Sequence, residues 1–145
     1  MDFKELTKKL KHENTNEKYD FLLKRMVSLD HIWFLDNEGE LVLYKDDAGK
    51  PFVPLWSDEK LAQLTPPKNS KIKAVEMDIE TFILQFSFFL FNSQTNVAVS
   101  PLPSDTEMLV QNSLAFTRDL IETIRADVSE EKAVFYLQEV KKLLT

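Results

Sequence analysis

The segment Ile79–Phe91 constrains the architecture of this chain more than any other stretch of it. Wound as a helix at about 100° per residue, it sets Ile79, Phe82, Ile83, Phe86, Phe89 and Leu90 within one arc of about 120°. Leu84, Phe88 and Phe91 make a second apolar stripe on nearly the opposite side. A helix apolar on two faces has to be covered on both. The first arc is expected to face a sheet. The second needs another layer, which is either the C-terminal part of the chain or a second subunit. The stripe Leu109, Val110, Leu114, Phe116, Leu120, Ile121 and Ile124 supplies a matching surface downstream, so Leu84, Phe88 and Phe91 are expected at an extension or oligomer interface. Interrupted by Gln85 and Ser87, the most apolar run reaches about half the length of a membrane span.

The rest of the chain supplies that sheet. Phe3, Leu6 and Leu10 fit a first helix, and Asn14-Thr15-Asn16 can end it and cap a second from about Glu17 to Leu29, whose stripe is Tyr19, Leu22, Leu23, Met26 and Val27. The period then changes. His31–Asp36, Leu41–Asp46 and Phe52–Leu55 are short aromatic and β-branched runs, separated by turns holding the chain's two glycines, Gly39 and Gly49. They predict a three-stranded antiparallel meander, with Pro51 and Pro54 making the third strand an edge or an irregular one. Trp33 and Trp56 are expected within reach of each other on it. Ser57 offers an N-cap to a short helix over 58–64, and Pro66-Pro67 stops it. A strand over 71–77, the aromatic helix capped by Asp78, and a strand over 96–100 suggest a right-handed parallel crossover. Ser104-Asp105-Thr106-Glu107 reads as a capping box opening a helix to about Ala126, and Ser129 starts the last helix. The expected fold is α+β: a five-stranded, mainly antiparallel sheet packed by helices, extended by two C-terminal helices. It forms one domain over 1–145, with a core over 1–103 and an extension over 104–145.

Composition excludes several chemistries. No cysteine is present, so disulfides, zinc-thiolate sites, iron–sulfur ligation and thiol nucleophiles are ruled out. Two glycines cannot write a dinucleotide fingerprint or a phosphate-binding loop. The net charge of −6 has no basic segment to offset it, which disfavours nucleic acid as a partner. Charges begin at Asp2 and no apolar leader follows, so a cytoplasmic location is expected, with neither membrane nor cofactor.

The order of Glu17-Lys18-Tyr19-Asp20-Phe21-Leu22, Ile32-Trp33-Phe34-Leu35, Asp46-Asp47-Ala48-Gly49 and Val53-Pro54-Leu55-Trp56-Ser57-Asp58-Glu59 resembles a small bacterial family known as domain of unknown function 2750. Ile79-Glu80-Thr81-Phe82 and Val97-Ala98-Val99-Ser100-Pro101 look like its closing elements, so the resemblance covers about 14–103. The chain departs from it at Phe34, where a small residue is more typical, and at Ser57, where proline is. The resemblance supports the fold and brings no activity with it.

Two chemistries compete for the function. Residues 31–60 carry seven acidic and three basic side chains, a net −4, with large rings among them. Asp46, Asp47, Asp58 and Glu59, with Trp33 and Trp56 as aromatic anchors, are the candidate partner-binding residues. They suggest a non-enzymatic intracellular protein-binding domain, immunity-like or an adaptor, that masks a basic protein partner, itself a monomer or weak homodimer. The rival is a small hydrolase using His31 as general base beside a carboxylate, and a third reading is a structural domain. No catalytic set and no metal-ligand spacing is written in the chain, and no serine stands in a nucleophile elbow.

Overall fold

The structure, a computed structural model, describes residues 1–99, 102–105 and 108–145. Helix α1 (Phe3–Lys11) begins where the Asp2 carboxylate accepts from the Glu5 N–H at 2.8 Å. Helix α2 (Thr15–Leu29) begins two residues earlier than its stripe suggests. Asn14 and Glu17 exchange a reciprocal capping box there, and all five stripe residues are buried. Asp30 then turns the chain with φ 59° into β1 (His31–Asn37).

The meander expected to form one sheet is divided between two. In the first, β2 (Glu40–Leu41) and β5 (Ile72–Asp78) flank β1, both antiparallel to it. In the second the order is β3 (Tyr44–Lys45), β4 (Pro51–Leu55), β6 (Asn96–Val99), β7 (Val110–Gln111). The run expected as one strand, Leu41–Asp46, is therefore split at Val42-Leu43 into two short pieces, each closing a hairpin. Glu38 and Gly39, both at positive φ, make the first turn; Gly49, at φ 81°, ends the second.

Pro54 explains the division. Trp33 and Trp56 pair antiparallel, each N–H donating to the other's carbonyl at 2.8 and 2.9 Å. The next hydrogen-bonded pair of that ladder would join Leu35 to Pro54. Proline has no N–H to donate, and the Leu35 carbonyl instead accepts from Val42 at 3.0 Å. Among the described residues, the backbones of the two sheets are thus joined through the Trp33–Trp56 bridge. Of the two outcomes expected of the prolines, an edge strand or an irregular one, β4 is not an edge, because the donor missing at Pro54 points only toward β1. On the other side β4 pairs in parallel with β6, from Phe52–Asn96 to Leu55–Val99. A parallel pair is present, but its partner is β4; β5 is antiparallel to β1 in the other sheet.

Helix α3 (Glu59–Ala62) is shorter than the expected 58–64, and Ser57 is not its cap. Asp58 occupies that position without capping, for a reason given below. The aromatic helix runs as α4 (Ile79–Thr81), a π-helical turn (Phe82–Phe86) and α5 (Ser87–Asn92), with Asp78 accepting from the Thr81 N–H at 2.7 Å. A π turn holds one residue more than an α turn, so everything beyond it lags by about 100°. Ser87 is thereby carried into the core. Phe89, expected on the sheet-facing arc, is carried out of it and is 59% exposed.

Helix α6 (Ser113–Asp127) starts later than expected, from Asn112, since Val110 and Gln111 are strand. Thr106 and Glu107 of the expected capping box lie outside the described residues, as do Ser100 and Pro101 at the end of the expected fifth strand. Helix α7 (Glu130–Leu144) is capped by Ser129. One buried cluster joins α2, β1, β4, β6, the aromatic helix, α6 and α7 through Met26, Ile32, Val53, Phe82, Phe116 and Tyr136, among others. A second, on the far face of β1, joins Leu6 and Leu10 of α1, Leu22, Leu35, Trp56 and Leu61. Leu84, half-buried, packs against the first cluster, Phe88 is half-buried, and Phe91 is 41% exposed.

Candidate functional site

The four acids singled out in the sequence fall on two separate hollows. Asp46 and Asp47 lie in the β3–β4 turn. One oxygen of Asp46 accepts from the N–H groups of Ala48 and Lys50, both at 2.9 Å, so this carboxylate first holds the turn. Asp47 follows it, exposed. Together they border a hollow of about 470 Å³ whose apolar lining comes from Phe52, Met108 and Leu109, with Thr15 of α2 on its rim. Met108 stands 39% exposed there.

Asp58 and Glu59 belong to the other hollow, beside Phe3, Leu6, Arg25 and Lys60. Arg25 of α2 donates from Nε and Nη2 to the two oxygens of Asp58, both at 2.7 Å, and Ser57 donates to the same carboxylate at 2.5 Å. This grip is why Asp58 caps nothing. Burial by itself would raise the Asp58 carboxyl. The hydrogen bonds from Arg25 and Ser57, with the guanidinium charge, outweigh it and hold the group below its ordinary 3.8. Glu59 is exposed and accepts from Gln63 at 3.0 Å.

The two tryptophans come together as expected, and they do so inside. Trp56 is fully buried in the second cluster, and Trp33, half-buried, packs against it. The pairing of these two large side chains helps fasten one sheet to the other where their backbones are bridged.

His31 opens β1, and its Nδ1 lies 3.5 Å from Glu76 of β5. The pair sits with Asp78 and Thr81 around an open hollow of about 420 Å³, where the two side chains are 45% and 53% exposed. At that distance and with water on both groups, the contact is weak. Among the described residues, no group of three or more histidines, aspartates or glutamates is arranged to hold a metal ion. No helix among them is long and apolar enough to cross a membrane.

Two polar constructions had no legible signal in the sequence. Tyr19 donates to Asp119 of α6 at 2.5 Å and accepts from Gln111 of β7, tying α2 to both. Burial, then the bond to Asp119, pushes its hydroxyl well above its ordinary 10.0. Lys18 donates to Asp105 at 2.6 Å, and that carboxylate also accepts from the Leu102 N–H at 2.8 Å. Three of these contacts, Tyr19 to Asp119, Gln111 to Tyr19 and Lys18 to Asp105, join residues far apart in the chain, so only the fold brings them into view.

Residues 19–120 match the family model described as "Protein of unknown function (DUF2750)". The match ends inside α6, leaving the last turns of that helix and all of α7 beyond it. No curated protein matches the sequence.

Proposed function

The chain belongs to the DUF2750 family, and on that premise we propose that it is a non-enzymatic protein-binding module whose β3–β4 turn receives a basic segment of a partner. The observation that carries this reading is the hollow beneath that turn. Asp47 has its carboxylate free at the rim, and the exposed Met108 side chain lies in the same hollow. An apolar floor beside unspent negative charge suits a segment with one apolar anchor flanked by Lys or Arg: the anchor supplies affinity, and the charge supplies encounter rate and selectivity. Asp58 serves this surface poorly, because Arg25 already neutralises it. The recognition surface is therefore narrower than the acidic stretch 31–60. Immobilised protein should capture a partner from the source cell in a salt-sensitive manner. Asp47→Lys and Met108→Glu should each lose that partner, while Glu59→Lys on the other hollow keeps it. Equal capture by all four forms would sink the reading.

The hydrolase reading ranks second, and the carboxylate it requires is present in Glu76. Reporter esters and phosphodiesters test it directly. Turnover that His31→Ala abolishes and Glu76→Gln weakens would promote it above the binding module.

A further inference from the structure

We propose that the hollow bounded by α2, α4, α6 and α7 binds a small aliphatic amine as its ammonium ion, the charged end between Asp30 and Tyr136 and the hydrocarbon against Val27, Ile79 and Ile124. Helix ends set the place. Helix α2 stops at Leu29, and Asp30 reverses the chain in the left-handed region at φ 59°. Asp78 caps the start of the aromatic helix, which brings Ile79 to the same spot. Helix α6 stops at Asp127, where the Val128 and Ser129 N–H groups both donate to the Ile124 carbonyl at 2.9 Å, a tight reversal that returns α7 to the hollow. The space between them is about 190 Å³. Since about 150 Å³ is enough for benzene, it suits a molecule of about six heavy atoms. It shares no lining residue with the hollow beneath the β3–β4 turn, so the two readings stand or fall separately.

The observation that points to a ligand is the state of Tyr136. This residue is 2% exposed, yet its hydroxyl has no hydrogen-bond partner among the described residues. Nor is the oxygen sealed. Glu13 Oε2, Thr65 Oγ1 and Arg125 Nε are the described unpaired side-chain atoms shut away from solvent, and the Tyr136 oxygen is not one of them. The little of Tyr136 that stays accessible therefore includes its hydroxyl, at the wall of the hollow. Fold-buried polar groups are nearly always paired, and this one is left for a group that enters from outside.

Electrostatics selects the sign of that group. Asp30 lines the hollow, and its carboxylate has neither an ion pair nor a hydrogen bond among the described residues. The last turn of α2 holds no basic residue, so the negative end of this 15-residue helix is unanswered beside it. Burial first, then Glu80, Asp30 and Asp78, pushes the Tyr136 hydroxyl up to about 12, which keeps it a neutral phenol able to accept. Against these stands Lys132, the lining residue of opposite sign, exposed and without an ion pair. An ammonium group donates to both the carboxylate and the phenol, whereas an anion is repelled and a neutral molecule gains nothing from Asp30. An aliphatic amine, with a pKa near that of Lys at about 10.4, carries the required charge at neutral pH. Its hydrocarbon meets Val27, Ile79 and Ile124, all buried side chains with an apolar face on the hollow.

Three probes with one hydrocarbon and different charge test this on the full chain. Followed by methyl NMR, isopentylamine should shift the Val27, Ile79 and Ile124 signals saturably, with a dissociation constant of about 1 mM or below. Isopentyl alcohol should bind about tenfold more weakly, and isovalerate more weakly again. Asp30→Asn keeps a side chain that tolerates the left-handed turn, and should bring the amine down to the affinity of the alcohol. Lys132→Gln lifts a like charge from the rim and should tighten the amine about two- to fivefold. Both positions are exposed, and circular dichroism establishes that the variants are folded. The proposal is overturned by the absence of saturable shifts up to about 10 mM amine, by equal binding of amine and alcohol, by tightest binding of isovalerate, or by an amine affinity that neither substitution changes.

Discussion

Asp58 was singled out as charge on a binding face, and in the fold it stands at the N-cap position of α3 with its side chain engaged elsewhere. Its carboxylate, mostly shielded from solvent, is held by Arg25 and Ser57. Removing it in Asp58→Ala leaves a part-buried guanidinium unpaired, an expected loss of about 1–3 kcal/mol in urea unfolding. Its carboxyl is depressed in the folded state, so its contribution is present above 3.8 and disappears as the pH falls through and below that value. Asp58→Asn should therefore flatten the acid limb of stability against pH. Tyr136 works at the opposite end. Burial first, then the charges of Glu80, Asp30 and Asp78, pushes its hydroxyl up from 10.0 to about 12. The neutral phenol favours the folded state, so that stability is complete below pH 10.0 and drains away as the pH rises toward 12. Tyr136→Phe should lessen the slope of stability over that interval. Neither group could have been assigned from the sequence, where the separation between Arg25 and Asp58 hides the pair and an aromatic stripe hides the phenol.

The aromatic helix makes the strongest prediction for a single element. With uniform α geometry Phe89 would be a core residue and Ser87 a flank; the π turn exchanges them. Phe89→Ser should accordingly cost less than about 1 kcal/mol, while Ser87→Leu should overpack the core and cost about 1–3 kcal/mol. Ile83→Ala, in contrast, should cost about 2–5 kcal/mol by chemical denaturation. Ser87 is small for a reason: Ser113 of α6 donates to its carbonyl at 2.9 Å, and its own hydroxyl donates to Ile83 at 2.8 Å. Helices were legible because their stripes and caps are local, as with Asn14 and Glu17 of α2 or Asp78 of α4. Strand pairing was not, because it depends on which neighbour claims each edge. Pro54 was rightly noticed as an interruption, but only the fold discloses that it interrupts one side of β4 and leaves the other paired with β6. Among the site residues, Asp47 and Asp46 could be read as a turn, whereas Met108 beside them comes from a segment the sequence suggested to be helical.

At the level of the whole molecule, α6 and α7 are part of the core. Phe116, Leu120, Ile121, Ile124, Ala133 and Tyr136 belong to the same buried cluster as Ile32, Val53 and Phe82. At about 1.5–3 kcal/mol for each large side chain, their burial is comparable to the net stability of an entire domain. A chain ended at Pro103 should lose its cooperative thermal transition and aggregate or associate; a soluble, monomeric and equally stable product would refute this. The other large-scale feature is the joint between the sheets, where Trp33 and Trp56 exchange their backbone bonds. They are the chain's two tryptophans, so its whole indole fluorescence originates at that joint. Emission then reports the parting of the sheets, while far-ultraviolet dichroism reports the seven helices given above. Any lag between the two signals during unfolding times the opening of the seam against the melting of its cover, with no label attached.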